Sequence, residues 1–278
     1  MNIEQSSELE RRVRRHAALA DATRLRIVDA LALSDRAVSA LGRGLGLSSN
    51  LLAHHLRVLE DAGLVRRHRS EGDGRRTYVS LVGGPPGEAP AAPDLGTAER
   101  VVFVCTANTA RSHLAAALWR AATTVDTVSA GTHPGERIAP GALAAARRHD
   151  LELPEVEPRQ VDGLLTPGDL VVTVCDRAHE ELGGADAVHW SVPDPVQVGT
   201  ARAFDEAHDD LAARVAALVP ALTPGAGNLS REVSPRRWLL RCPGSTILLK
   251  FYPGAGPAPV TLGHRGRAVC RPPTSADG

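Results

Sequence analysis

The chain has 278 residues, enough for two ordinary domains, and its 32 basic and 32 acidic side chains give no net charge at pH 7. Four cysteines without a CxxC pair argue against a disulfide framework, and no apolar run approaches the roughly 20 residues that cross a bilayer. Because the N-terminus also lacks a signal-peptide pattern, we expect a cytoplasmic protein without a membrane partner.

The charge is distributed unevenly along the chain. Residues 1–82 carry 14 basic and 10 acidic side chains, whereas residues 99–222 carry 10 basic and 18 acidic ones. A basic front and an acidic middle predict two modules with different partners.

The front of the chain is predicted to be helical. Apolar residues recur with helical spacing over residues 8–33. Residues 37–45 then predict a short helix that ends at Gly46, and residues 50–61 predict a second helix that stops at Gly63. Two helices joined by a short glycine turn form the helix-turn-helix pattern.

Two strands are predicted next, over residues 64–69 and 76–82, on either side of a glycine-containing hairpin at residues 70–74. Residues 1–82 are therefore predicted to form a winged helix-turn-helix DNA-binding domain. The run from Leu19 through the wing resembles the ArsR family of metal-sensing repressors. This resemblance implies a homodimer formed through the front domain, with its second helix in the major groove of double-stranded DNA.

The resemblance also assigns the DNA contacts. The residues expected to face DNA on the second helix are Ser49, Asn50, His54 and Arg57, and those expected to meet phosphates at the wing are Arg75 and Arg76. Two other interpretations stay open, since the arginines can form an ordinary solvated face and the domain can serve dimerisation alone. Residues 34–41 lack the cysteine pair of the family's arsenic sensors, so As(III) sensing is not expected there.

The segment 101–112 is the most informative part of the sequence. Four apolar residues predict a buried strand that ends on Cys105, and Arg111 and Ser112 come just before a helical run over residues 114–120. A strand that feeds a tight loop and a helix directs N–H groups and the positive end of the helix dipole at one point, which suits a tetrahedral oxyanion. The same field favours a thiolate, so Cys105 is predicted to be the nucleophile, with Arg111 gripping the anion as a planar fork. The predicted oxyanion-binding loop consists of Thr106, Ala107, Asn108, Thr109, Ala110 and Arg111.

Further strands over residues 125–129, 169–174 and 187–190 alternate with helices over residues 140–149 and 201–222. This alternation predicts an α/β domain with a doubly wound parallel sheet. Ligands bind at the carboxyl ends of the strands in such sheets, where the predicted nucleophile falls.

Two segments without clear periodicity flank this predicted domain. Residues 83–98 are crowded with proline and glycine, which predicts a flexible linker between modules that fold independently. Residues 223–278 form a basic tail with two apolar islands, which can form one hairpin or remain largely disordered. No function follows from the tail.

The motifs Cys105-x-x-Asn108-x-x-Arg111-Ser112, Ser129-Ala-Gly-Thr132 and Asp194-Pro195 resemble those of the low-molecular-weight protein tyrosine phosphatase superfamily. That superfamily includes the thioredoxin- and mycothiol-linked arsenate reductases, and the resemblance covers residues 99–222. It implies that Asp194 is the general acid, that Asn108 holds the loop and that Ser112 donates a hydrogen bond to the thiolate. The alternative is that Asp194-Pro195 forms an ordinary turn and has no catalytic role.

Two positions depart from the tyrosine phosphatases of this superfamily. Ala110 stands where they usually carry a second cysteine, and Val196 stands where they carry an aromatic residue, so little remains to hold a phenol ring. Cys175, at the end of the third strand, looks closer to the arsenate reductases and is a candidate resolving cysteine, with a buried strand-end residue as the alternative. Leu182 replaces the third cysteine of the thioredoxin-linked relay, which is therefore incomplete.

The sequence thus predicts a thiol-dependent arsenate reductase fused to an ArsR-like transcriptional regulator in arsenic detoxification. No bound cofactor or metal is expected. The electrons are expected from an external thiol, either mycothiol with its mycoredoxin or thioredoxin. Two alternatives stay open: a low-molecular-weight tyrosine phosphatase, and a regulator that senses an oxyanion without turnover.

Overall fold

The computed structural model describes residues 3–82, 94–154, 156–224, 237–242 and 245–250. The chain divides into two compact units, residues 1–230 and 231–278. Within the first unit we call residues 3–82 the front module and residues 94–224 the middle module. None of the described helices is both long and apolar enough to cross a bilayer.

The front module contains four helices and a small antiparallel sheet with the strand order β1-β3-β2. The helices are α1 (Ile3–Leu19), α2 (Ala22–Ala30), α3 (Val38–Leu45) and α4 (Ser49–Asp61), and the strands are β1 (Arg36–Ala37), β2 (Val65–Arg69) and β3 (Thr77–Leu81). The predicted helix-turn-helix and wing are both present.

Local capping decides where these helices begin and end. The periodic stretch at residues 8–33 forms two helices, because the side chain of Asp21 accepts a hydrogen bond from Arg24 N at 2.9 Å and starts α2. Gly46 ends α3 with a φ of 66°, a left-handed conformation that favours glycine. Ser48 then caps α4 by accepting from Leu51 N.

The middle module is built on a four-stranded parallel sheet with the order β6-β5-β7-β8. The four strands of this sheet are β5 (Arg100–Cys105), β6 (Asp126–Gly131), β7 (Asp169–Thr173) and β8 (Val188–His189). Two short strands, β4 (Thr97–Ala98) and β9 (Thr223–Pro224), form a separate pair. Its α-helices are α5 (Arg111–Ala122), α6 (Pro140–Arg148), α7 (Asp176–Leu182), α8 (Pro195–Val198) and α9 (Ala201–Leu218), and a 3-10 turn covers Val219–Ala221.

The central strand β5 is buried on both faces of the sheet. Val101, Val102, Phe103 and Val104 are all fully buried, as expected for a strand with helices against the sheet. Trp119 of α5 packs against Phe103, with ring centroids 6.0 Å apart. The predicted α/β class is therefore confirmed, and Cys105 ends β5 at the carboxyl edge of the sheet.

The last residues of the predicted linker and the first residues of the predicted tail belong to the middle module. Thr97–Ala98, at the end of the predicted linker, forms β4 and pairs in parallel with β9. Residues 83–93 lie outside the described residues, as does most of the tail. In the second unit, β10 (Arg237–Cys242) pairs antiparallel with β11 (Ser245–Lys250), which is the hairpin that the two apolar islands allow.

The front and middle modules contact each other directly. The indole N–H of Trp190 donates to Leu33 O at 2.9 Å, and Ser191 N donates to the buried carboxylate of Asp35 at 2.7 Å. Arg214 of α9 forms an ion pair with the same carboxylate at 3.0 Å. The two modules therefore share a polar interface although each has its own apolar core.

Candidate active site

The loop from Cys105 to Arg111, which we call the nucleophile loop, is fixed from outside by backbone hydrogen bonds. Four of its carbonyl oxygens accept from the segment after β6. The pairs, donor first, are Thr132–Cys105, His133–Thr106, Gly135–Ala107 and Ala139–Thr109, at 2.8–3.2 Å. Because a trans peptide points its N–H away from its carbonyl, the N–H groups that follow these carbonyls point to the inside of the loop. A loop of this kind presents donors to an anion.

Asn108 holds the loop in shape around the sulfur atom. Its φ is 50°, in the left-handed region that asparagine tolerates, and its N–H donates to Cys105 Sγ at 3.2 Å. Its side-chain oxygen accepts from Arg159 N at 2.9 Å, and its side-chain nitrogen donates to Ser112 Oγ at 2.8 Å. Ser112 Oγ in turn lies 3.1 Å from Cys105 Sγ. These contacts are compatible with the roles predicted for Asn108 and Ser112.

Gly131 lets β6 approach the nucleophile loop closely. A Cβ atom at this position would lie 2.6 Å from Thr106 O and 3.0 Å from Asn108 N, which is closer than a side chain tolerates. The Ser129–Thr132 motif therefore has a local structural reason: its glycine makes room for the loop backbone.

Arg111 lies in the loop, and both terminal nitrogens of its guanidinium contact neighbours. Nη1 donates to Val192 O and to Glu71 Oε2, both at 2.8 Å, and Nη2 lies 3.1 Å from Asp194 Oδ2. Burial by itself lowers the pKa of Arg111, but the negative charges around it outweigh burial and raise that pKa. Arg111 is therefore a fixed cation at the mouth of the loop.

Asp194 is positioned by the start of a short helix. Its Oδ1 accepts from Val196 N at 3.0 Å, which caps α8, while its Oδ2 faces Arg111. Its backbone N–H donates to Glu71 Oε1 at 2.9 Å. The structure thus places the predicted general acid beside the predicted anion clamp.

Cys175 lies beside the nucleophile loop, on the neighbouring strand. Val174 N donates to Val104 O at 2.8 Å, so the ends of β7 and β5 are aligned, and Cys175 Sγ is 3.4 Å from Thr106 Oγ1. Both Cys105 and Cys175 are free and buried. Burial raises the pKa of Cys175, and the charge of Arg111 opposes that shift.

His179, Asp186 and His189 bring potential metal ligands within 4.8 Å of one another. These atoms already bond within the protein: His179 Nδ1 donates to Asp186 Oδ2 at 2.6 Å, and the Thr173 hydroxyl donates to the same oxygen at 2.7 Å. The two imidazoles stack with centroids 4.1 Å apart. Hydrogen bonding and stacking therefore account for this cluster without a metal.

All six predicted DNA contacts lie at exposed positions of the front module. The four on α4 are Ser49, Asn50, His54 and Arg57, and the two on the wing are Arg75 and Arg76. Arg76 Nε lies 3.6 Å from an Asp73 carboxylate oxygen and 3.9 Å from one of Glu180. The structure therefore leaves α4 accessible and holds the wing against the middle module.

Sequence reasoning missed Glu71 on the wing. It also missed Asp176 and Glu180 of α7, which accept from Glu71 N and from Asp73 N respectively. One signal was available, because Glu71 and Asp73 place two carboxylates at the tip of a hairpin that was expected to meet phosphates. Buried His113 was also missed; its Nδ1 lies 3.2 Å from Ser129 Oγ, at the start of the motif that contains Gly131.

Two family models match separate stretches of the chain. Residues 100–232 match the family model described as low molecular weight phosphotyrosine protein phosphatase, and residues 19–68 match the model described as helix-turn-helix domain. A search of curated proteins finds no match to the chain.

Three solved structures illustrate the similarity. An arsenate reductase from Archaeoglobus fulgidus is 29% identical over 43% of this chain and 98% of its own, with a TM-score of 0.36. A low molecular weight protein tyrosine phosphatase from T. tengcongensis is 19% identical over 44% of this chain and 98% of its own, with a TM-score of 0.40. A homodimeric winged helix-turn-helix domain from Mycobacterium bovis, described as a possible ArsR-family regulator, is 31% identical over 30% and 74% of the two chains, with a TM-score of 0.28.

The chain therefore joins an N-terminal helix-turn-helix domain to a module that matches the low molecular weight phosphotyrosine protein phosphatase family model.

Proposed function

We propose that the middle module is a thiol-dependent arsenate reductase and that the front module is an ArsR-like DNA-binding regulator of arsenic detoxification. The observation that carries the reductase proposal is the position of Cys175, a second free thiol at the carboxyl end of the strand next to the nucleophile. Hydrolysis of a phosphoester needs one thiol, whereas reduction of arsenate consumes two.

The first step is attack of the Cys105 thiolate on arsenate. A sulfur–arsenic(V) bond forms, one arsenic–oxygen bond breaks, and Asp194 gives its proton to the leaving oxygen. Arg111 and the inward N–H groups of the nucleophile loop hold the remaining oxygens. The contact that supports this step is the 3.2 Å hydrogen bond from Asn108 N to the sulfur, and the 3.1 Å distance to Arg111 places Asp194 next to the residue that would hold the anion.

The second step transfers two electrons to arsenic. A second thiolate attacks Cys105 Sγ, a disulfide forms, the sulfur–arsenic bond breaks with its electron pair staying on arsenic, and arsenite leaves. The second thiol is either Cys175 or an external thiol. Because burial raises the pKa of Cys175, the thiol form of this residue is favoured, which supports the external thiol as the attacking group.

The reductant that restores the enzyme is mycothiol with its mycoredoxin, or thioredoxin. Leu182 on α7 occupies the position of a third relay cysteine, so a disulfide cannot be passed along the protein to that position. A redoxin must therefore reduce a Cys105–Cys175 disulfide directly, or a small thiol must form the mixed disulfide with Cys105.

A phosphatase is the second candidate, and the placement of Asp194 favours it. An aspartate that faces the anion clamp can activate water against a cysteinyl-phosphate as well as protonate a leaving group. Such an enzyme needs neither Cys175 nor a reductant.

The test is turnover of arsenate by the purified full chain with a thioredoxin system or with mycothiol and mycoredoxin, beside hydrolysis of para-nitrophenyl phosphate. Arsenite production that requires thiol and is lost in Cys105→Ser is the expected result. Cys175→Ser separates the two routes, because it abolishes turnover with thioredoxin and spares turnover with mycothiol if the small thiol attacks Cys105 directly. Fast phosphate release without arsenite would assign the module to the phosphatases.

A further inference from the structure

The wing of the front module reaches into the candidate active site. Glu71 Oε2 accepts from Arg111 Nη1 at 2.8 Å, and Glu71 Oε1 accepts from Asp194 N at 2.9 Å. The Glu71 carboxylate thus bridges the predicted anion clamp and the predicted general acid. A carboxylate that accepts from an arginine and from a backbone N–H has the charge and acceptor pattern of an oxyanion substrate.

The wing tip (residues 70–73) is held in place by α7. Glu71 N donates to Asp176 Oδ2 at 3.0 Å, and Asp73 N donates to Glu180 Oε2 at 2.7 Å. The Ser70 hydroxyl donates to Glu180 Oε1 at 2.8 Å. Two side chains of the middle module therefore bind two backbone N–H groups of the wing, which is a specific docking site for this turn.

Close packing makes this docking sensitive to the size of one residue. A Cβ atom on Gly72 would lie 2.9 Å from Arg177 Cα and 2.5 Å from Glu180 Oε2. Arg177 Cα belongs to the helix backbone and cannot move aside cheaply. Gly74, two residues further along the same hairpin, has no atom within 4 Å of the corresponding position.

We infer that Glu71 is an intramolecular competitor for the oxyanion site, and that an oxyanion bound in the nucleophile loop drives the wing off the middle module. Arg111 already faces Asp194 and Glu71, so a bound oxyanion would add a third negative group around one guanidinium. Like charges at such distances repel one another. Binding of an anion in the loop and the contact of Glu71 with Arg111 therefore oppose each other.

This competition couples the two modules thermodynamically. An anion that displaces Glu71 favours the released wing, and any partner that binds the released wing raises the affinity of the loop for the anion by the same factor. The wing carries Arg75 and Arg76, the residues predicted to meet DNA phosphates. The coupling requires that the loop binds an oxyanion, as the proposed function does, but it requires no turnover.

The first experiment measures the affinity of the full chain for inorganic phosphate by calorimetry. Glu71→Gln removes the competing charge, and Asp73→Asn removes the same charge from the same turn at a residue that does not contact Arg111. We expect Glu71→Gln to bind phosphate about tenfold more tightly than the wild type, which corresponds to one charge-assisted hydrogen bond, and Asp73→Asn to bind like the wild type. Gly72→Val prevents the wing from docking and should bind phosphate as tightly as Glu71→Gln does. Gly74→Val should bind phosphate with the affinity of the wild type.

The second experiment follows the wing itself by amide hydrogen exchange with and without phosphate. Exchange over residues 70–76 should rise when phosphate is added to the wild type, because the N–H groups of Glu71 and Asp73 lose their carboxylate acceptors. It should already be fast in Gly72→Val without phosphate. Equal phosphate affinity in wild type and Glu71→Gln, or unchanged exchange at saturating phosphate, overturns the coupling and leaves the proposed function intact. Absence of phosphate binding in every variant overturns both.

Discussion

Trp190 of the middle module donates its indole N–H to the backbone carbonyl of Leu33 in the front module, across 157 residues of sequence, at 2.9 Å. Trp190 is almost completely buried and also packs on Phe103 of the central strand, with ring centroids 5.8 Å apart. A side chain in the core of one module thus satisfies a backbone acceptor of the other. The interface is therefore part of the packed interior of the protein.

The ion pair between Asp35 and Arg214 at this interface should contribute strongly to stability. The side chain of Asp35 is 2% exposed and that of Arg214 is 14% exposed, so Arg214→Met leaves a buried carboxylate without its cation. We expect a loss of about 3 kcal/mol in the free energy of unfolding, measured with urea. The double variant Asp35→Asn/Arg214→Met should recover part of that loss. A loss no larger than that of Arg202→Met, an exposed arginine of the same helix, would contradict this account.

Asn108 should contribute to stability in two separable ways, through its left-handed backbone conformation and through its side-chain hydrogen bonds. Asn108→Gly keeps access to the left-handed φ of 50° but removes the hydrogen bonds to Ser112 and from Arg159, whereas Asn108→Ala loses both properties. We expect losses of about 1–2 kcal/mol for glycine and about 1 kcal/mol more for alanine, measured by chemical denaturation. Phosphate affinity should fall in both variants. An equal free energy of unfolding in the alanine and glycine variants would contradict a cost of the left-handed conformation at this residue.

Buried His113 should make the stability of the protein depend on pH. Burial lowers its pKa from 6.5 to about 4. Because the folded-state pKa lies below the unfolded-state value, the unfolded chain binds more protons between about pH 4 and pH 6.5, and stability falls as the pH falls through that window. The expected size is roughly 3 kcal/mol at the acid end. His113→Gln should flatten the pH dependence of the free energy of unfolding, and an imidazole that titrates near pH 6.5 by NMR would contradict the prediction.

Arg75 and Arg76 should contribute to DNA binding through phosphates. If the wing meets the duplex, Arg75→Ala and Arg76→Ala should each weaken binding to all sequences alike and reduce the slope of log affinity against log salt by about one. Binding is measured by fluorescence anisotropy with a duplex that spans the promoter before the coding sequence and with a scrambled duplex. Arg202→Ala, an exposed arginine on α9, is the matched control. An unchanged salt slope in both wing variants would remove the wing from the DNA interface.

The nucleophile loop was predictable because every signal for it is local. Cys105, Asn108 and Arg111 lie within seven residues of sequence, and a buried strand followed by a helix fixes their relative positions. Asp194 and Cys175 were singled out by the resemblance to the superfamily's motifs, and both follow strands that end at the same edge of the sheet.

The contact between Glu71 and Arg111 was not predictable in this way. The two residues belong to different modules, and the position of the wing tip depends on contacts between the modules, those of Trp190 and Asp35 and those of α7 with the tip itself. No periodicity or spacing carries that information. The break between α1 and α2 was missed for the opposite reason, because apolar periodicity continues through the turn and only the capping side chain of Asp21 marks it.

The short pair of β4 and β9 has a consequence for how such a chain arises. Thr97 lies opposite Thr223, and Ala98 lies opposite Pro224, so the middle module begins and ends on neighbouring strands. Adjacent termini let a domain be inserted into another polypeptide without forcing the host's flanking segments apart. The middle module therefore has the geometry of a domain that gene fusion can insert between two segments of another chain in one step.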